Sequence, residues 1–150
     1  AYNTLGFLER VPADKMNARK VALFKTEHSR QMLFDCLLYC HFTAVAMGFE
    51  SLAEVTRAVT GWNTGVMELM RVAERVLTMA RLFNVREGFT ADDDKLPKRF
   101  FQPTTAGYLA DKPLNEEDME RAKRYYYMLM GWDNDGVPLP EKVEELYIDV

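Results

Sequence analysis

Cysteine is scarce here: Cys36 and Cys40 are the only two in 150 residues. Two thiols cannot build a disulfide framework, and such usage suits a reducing, cytoplasmic setting. Long apolar runs are missing as well. None approaches the roughly 20 residues that a bilayer span needs, so the pattern excludes a membrane helix. A basic surplus is absent too, since 19 Lys and Arg face 23 Asp and Glu for a net charge of −4. Nucleic-acid binders present a basic face and anionic membranes recruit polybasic segments, so neither is expected as a partner. The opening Ala1-Tyr2-Asn3-Thr4 has neither the basic nor the apolar region of a signal peptide, and the missing initiator Met suggests a fragment or a processed chain. No strand-like alternation lasts more than a few residues, and there are no repeats or low-complexity tracts.

What is present is helical patterning with enough apolar content, 48%, for a substantial core. Residues 1–13 read as an irregular lead-in ending at Pro12-Ala13-Asp14. Asp14 to about Ala46 is helical, interrupted near Phe34 to Cys40, and apolar enough to be largely buried. Ser51-Leu52-Ala53-Glu54 has capping-box spacing and predicts a short helix ending at Thr60-Gly61, with Gly suited to the left-handed position. Thr64 is a candidate N-cap for a long helix to Phe83. Its inner stripe would be Val66, Leu69, Met70, Ala73, Val76, Leu77, Ala80 and Phe83, with Glu68, Arg71, Arg75 and Arg81 mostly elsewhere. Residues 84–113 hold Gly88, Pro97, Pro103, Gly107 and Pro113 and read as one long loop, a feature often tied to function. Asn115 can cap a helix whose acidic first turn suits the dipole, with Met119, Ala122, Tyr126 and Leu129 inward. Asp133-Asn134-Asp135-Gly136 reads as a turn, and Pro140 as the start of a last short helix. The expectation is all-α: one domain, residues 1–150, an irregular bundle of about five helices with a loop at 84–113.

Few side chains point to chemistry by type and spacing. Cys36 and Cys40 lie one helical turn apart and pack most simply as buried structural thiols. A zinc set of Cys36, Cys40, His41 and His28 fits no common spacing. His28 and His41 read as ordinary polar positions. Asp35 stands in an apolar run, where a buried carboxylate needs a partner or becomes protonated; helix capping, pairing with Arg or Lys, and ligand binding all remain open. The nine methionines fall mostly on inner stripes and suit core packing. Asp92-Asp93-Asp94 could hold a hard cation, though three adjacent acids in a loop are usually solvated. Arg86 and Glu87 either brace the loop or line a passage, and Tyr125-Tyr126-Tyr127 is at least half core.

Several strings are less generic. Arg81-Leu82-Phe83-Asn84-Val85-Arg86-Glu87-Gly88-Phe89-Thr90 is followed by Asp92-Asp93-Asp94-Lys95-Leu96-Pro97-Lys98-Arg99-Phe100. The tail has Tyr125-Tyr126, Gly131-Trp132-Asp133, Gly136-Val137-Pro138 and Glu141-Lys142-Val143-Glu144-Glu145-Leu146. These resemble the C-terminal region of the tungsten-containing aldehyde:ferredoxin oxidoreductases, over most of residues 30–150. Asp35-Cys36-Leu37-Leu38-Tyr39-Cys40-His41-Phe42 is similar to that family's Asp, short variable stretch and Cys before an aromatic. The resemblance implies that Asp35 binds a pterin of the molybdopterin type, that Tyr39 contacts it partly through its backbone, and that Cys40 is the last ligand of a [4Fe-4S] cluster. Leu38 stands where members commonly have Gly, so a change in local backbone is expected there.

The implied chemistry follows from the residue types. A carboxylate offers two in-plane acceptors to the paired N–H donors of a pterin edge. A thiolate is the ligand that iron–sulfur clusters require. The resemblance further implies a tungsten–bispterin centre that oxidises an aldehyde to a carboxylic acid, with electrons leaving through the cluster to ferredoxin. The loop 84–101 would shape the approach to the metal. One cysteine cannot hold a cluster, and the family's other three ligands form a C-x2-C-x3-C run that this chain lacks. The expected partners are therefore N-terminal domains of the same enzyme, and the chain alone should be inactive and cofactor-free. Two other readings stand beside this one: a relative acting on another substrate, such as an aromatic thioester, and a non-catalytic helical module with exposed faces prone to self-association.

Overall fold

The computed structural model describes residues 9–149. The first eight residues of the predicted lead-in lie outside them; residues 9–17 are irregular. Five α-helices follow: α1 (Ala18–Cys36), α2 (Phe49–Thr60), α3 (Val66–Arg86), α4 (Glu116–Met130) and α5 (Pro140–Glu145). Short 3-10 turns occupy His41–Val45 and Lys98–Phe101. Among the described residues there is no strand, only an isolated bridge between Trp132 and Pro138. The all-α expectation holds.

α1 starts later than the pattern predicts. Asn17, not Asp14, closes its first turn, accepting from the Lys20 amide at 3.0 Å. Its end falls where an interruption is expected, at Leu37. α1 and α3 run antiparallel: Lys25 meets Glu74 at 2.7 Å, and further along Leu33 and Phe34 share one core cluster with Leu69 and Ala73. Leu52 and Ala53 of α2 complete that cluster.

The capping-box reading of Ser51 is corrected. α2 begins at Phe49 with Gly48 as N-cap, so Ser51 lies inside the first turn. Burying Leu52 and Ala53 completely takes a helix that starts a turn earlier, with Phe49 also packed on the core. The other end is as expected, with Gly61 at φ +75. Thr64 is corrected in the same way: Gly65 is the N-cap, and Thr64 is buried, its carbonyl accepting from Arg57 at 2.8 Å.

A second core cluster joins Leu77, Tyr127, Met130 and Trp132, with Met32 touching both clusters. α4 is capped as read, the Asn115 side chain accepting from the Asp118 amide at 2.9 Å. Its most buried residues are Ala122, Tyr127 and Met130, so the inner stripe sits one residue beyond the predicted Tyr126 and Leu129. The α3 stripe is corrected at its C-terminal end: Ala80 and Phe83, read as inner, are exposed, and Arg81 is buried, not solvated. Its Nη1 pairs with Asp94 at 2.8 Å, and its Nε donates to the Gly136 carbonyl at 2.6 Å. Asp94 is thereby removed from any solvated triad, and Tyr127 donates its hydroxyl to the same carboxylate. The long loop begins after Arg86 rather than at Asn84, and it is pinned. Lys123 donates to the Ala91 carbonyl at 3.0 Å, and the Leu114 amide to the Phe100 carbonyl at 3.0 Å. Arg86 and Glu87 touch one another at 3.6 Å, with Arg86 over the Phe83 ring.

The turn at Asp133 to Gly136 is as read, the Gly136 amide donating to the Asp133 carbonyl at 3.0 Å with φ +74. A Cβ there would strike the Arg81 guanidinium and come within 2.9 Å of the Tyr127 ring. Gly136→Ala is therefore expected to destabilise the chain by about 2–4 kcal/mol, combining overpacking with a left-handed penalty. The urea midpoint measures it.

Candidate functional site

At the end of α1 the helix stops and the chain turns sharply. The Leu37 amide still bonds to Leu33, and the Tyr39 amide bonds to the Phe34 carbonyl at 2.8 Å. Between them Leu38 takes φ +58. That left-handed conformation costs a leucine roughly 1–2 kcal/mol and a glycine almost nothing. Leu38 thus adopts the backbone region that glycine favours. It is almost fully exposed, at 92%.

Asp35 lies on the last turn of α1, before this bend, and Cys40 after it, at the N-cap of the 3-10 turn. The bend brings both to the same end of the molecule, and both are exposed. This corrects two expectations. The cysteines are not buried structural thiols, and residues 35–46 are not a buried segment. Leu33 and Phe34 are fully buried, and after them only Leu37, Tyr39 and Ala44 of this stretch pack partly against the core, while Leu38, Phe42 and Val45 stay outside it. Tyr39 is half-buried, with its ring edge-on to Phe34.

His41, read as an ordinary polar position, organises the carboxylate. Its Nε2–H donates to Asp35 Oδ1 at 2.6 Å, and its Nδ1 meets the Gln31 side chain at 2.6 Å. No described residue donates to the other carboxylate oxygen of Asp35. Cys36 is partly covered by α1, and burial followed by the Asp35 charge pushes its thiol upward. The fit to a pterin and a cluster rests on donor chemistry. An open carboxylate with a free oxygen suits paired N–H donors, and an open thiol suits iron. Among the described residues no three His, Cys, Asp or Glu side chains gather to hold a metal, so the zinc set does not assemble.

A second feature lies between α1, α3 and α4, one that residue reasoning passed over. A cavity of about 750 Å³ is walled by Phe24, His28, Met32, Leu77, Tyr126 and Tyr127, among others. His28 Nδ1 and the Tyr126 hydroxyl lie 3.0 Å apart. Burial lowers the His28 pKa, and burial ahead of the Asp94 charge raises Tyr126 to about 12. The available signal was the i, i+4, i+8 spacing of Phe24, His28 and Met32 on one face of α1.

These features define an all-α domain with a carboxylate and a thiol exposed at one end, on either side of a left-handed turn. The chain belongs to the aldehyde ferredoxin oxidoreductase family: the profile described as aldehyde ferredoxin oxidoreductase, domains 2 & 3, matches residues 3–148. It is 30% identical over 148 residues to a tungsten-containing aldehyde ferredoxin oxidoreductase of Thermococcus kodakarensis, covering 96% of this chain and 24% of that protein. A protein of the same description from Pyrococcus furiosus is 30% identical over 146 residues, with 96% and 24% covered. The aliphatic sulfonate oxidoreductase WOR-like subunit of Pyrococcus furiosus is 30% identical over 124 residues, covering 79% of this chain and 20% of that protein. The chain thus spans about a quarter of the length of the curated relatives it matches. No helix among the described residues is long and apolar enough to cross a membrane.

Proposed function

We propose that this chain is the C-terminal domain of a tungsten-containing oxidoreductase that oxidises an aldehyde to its carboxylic acid. What carries the reading is Asp35 and Cys40 standing open on either side of one left-handed turn, in a chain of this family. Asp35 holds a pterin through its carboxylate, with His41 and Gln31 fixing the carboxylate plane. Tyr39 contacts the pterin through backbone, its ring anchored against Phe34. Cys40 supplies one thiolate to a [4Fe-4S] cluster whose other ligands come from the preceding domains. A tungsten–bispterin centre bound there would supply the two-electron chemistry of aldehyde oxidation, and a cluster on Cys40 would supply one-electron transfer toward ferredoxin. The loop 84–101, read from the resemblance as shaping the approach to the metal, follows the opposite end of α3 from Asp35 and Cys40; the Arg81–Asp94 pair holds it there, and it lines the cavity beside α1 and α4 instead.

A second substrate class within the same family is the alternative that an observation favours. One relative with 30% identity is named for an aliphatic sulfonate rather than an aldehyde. Analysis of the full-length protein distinguishes these readings. Tungsten, pterin and iron are expected together, with aldehyde-dependent reduction of ferredoxin in a soluble cytoplasmic fraction. Cofactors without aldehyde turnover support the other substrate class, and a protein lacking tungsten and pterin overturns both.

A further inference from the structure

The cavity between α1, α3 and α4 is polarised along its length. Lys20, Phe24, His28 and Met32 line it from one face of α1, so it follows that helix for roughly 18 Å at the helical rise. Its lysines gather toward one end. Lys20 lies in the first turn of α1, Lys123 comes a turn before Tyr127 on α4, and Lys95 stands in the loop that follows α3. The other end, at Met32, Leu77 and Trp132, belongs to the second core cluster and is apolar. Between the two ends, His28 and Tyr126 bond to each other at 3.0 Å, and burial favours the uncharged form of both.

The carboxylates of the wall are already engaged. Asp94 pairs with Arg81, and Asp93 accepts from the Thr90 amide at 2.8 Å. Lys95 is exposed and enters no ion pair among the described residues. The Nζ of Lys20 donates to a neutral group, the Ala13 carbonyl, at 2.7 Å. Positive charge is thus left over at one end of an apolar space, in a chain whose net charge is −4.

We propose that this cavity binds an amphipathic monocarboxylate, a long-chain aliphatic acid, with its head at Lys20 and Lys95 and its chain laid along α1 toward Met32 and Leu77. A volume of about 750 Å³ lies within the range of small-molecule sites. The head can accept from ammonium groups while it stays in water at the mouth, which spares it the desolvation cost of a buried ion. The chain supplies the affinity, since each methylene that leaves water for the apolar wall adds to it. Such a site is separate from the proposed redox centre: its charged end lies at the start of α1, away from Asp35 and Cys40.

Calorimetric titration of the full-length protein with dodecanoate, below its micellar range, tests the proposal, with dodecanol and butanoate as the two controls. Dodecanoate should bind one to one, and butanoate should not saturate at the same concentrations. Lys95→Glu and Ala80→Trp change exposed wall positions. The first should weaken dodecanoate about tenfold, by loss of a charge-assisted hydrogen bond, and leave dodecanol within about twofold. The second fills the space and should weaken both. No saturable dodecanoate binding, or an affinity that neither variant moves, overturns the site. A Lys95→Glu protein that binds dodecanoate as the parent does overturns the assignment of the carboxylate head.

Discussion

Replacing Cys40 with alanine in the full-length protein is expected to lower the cluster iron by at least roughly a quarter, because the one iron of four that Cys40 would ligate is left without its protein thiolate. The fold should hardly notice. Cys40 is exposed and belongs to neither core cluster, so stability should move by no more than about 0.5 kcal/mol. Its neighbour provides the control. Cys36 is exposed as well, but burial and then the Asp35 charge raise its pKa, leaving less thiolate at neutral pH. Cys36→Ala should therefore keep iron at the parent level. Iron and sulfide assays on both variants decide the matter. Unchanged iron in Cys40→Ala refutes the ligand assignment, and loss in both variants points to a general effect on assembly.

Sequence reasoning reached the helices because their apolar spacing is strong: α3 and α4 were legible from stripes, and Asn115, Gly61 and Pro140 from the chemistry of helix ends. It missed starts that depend on tertiary burial. Gly48 and Gly65 serve as N-caps without any side-chain bond, so neither has a capping residue to advertise it, while Ser51 and Thr64 offer signals that packing overrides. Asp35 and Cys40 were singled out from the family strings, not from periodicity. Their exposure could not be foreseen, because Leu38, Phe42 and Val45 look like core residues in a sequence. Where large apolar residues stand exposed, the apolar pattern does not distinguish an interior from a surface. The partnership of His41 with Asp35 was equally invisible, because it depends on the reversal at Leu38 bringing residues six apart into hydrogen-bond contact.

Arg81 was missed for a related reason: an arginine off the apolar stripe is ordinarily a solvated one. Here the guanidinium is fixed from four sides. Asp94 pairs with Nη1 at 2.8 Å, the Gly136 carbonyl accepts from Nε at 2.6 Å, and the rings of Tyr127 and Trp132 each lie 5.6 Å from the central carbon. One side chain thereby ties α3 to the loop after it and to the turn after α4. Removing it strands the Asp94 carboxylate and the Gly136 carbonyl together. Breaking a fully buried pair costs about 3–5 kcal/mol, and Asp94 is partly open to solvent, so Arg81→Met is expected to cost about 2–4 kcal/mol. Arg81→Lys should recover less than half of that, since an ammonium cannot reach both acceptors in the fork geometry of a guanidinium or stack on two rings. Urea unfolding of the two variants measures both values. A loss below about 0.5 kcal/mol in Arg81→Met, the level of an ordinary surface substitution, would show that the loop is held in place by other contacts.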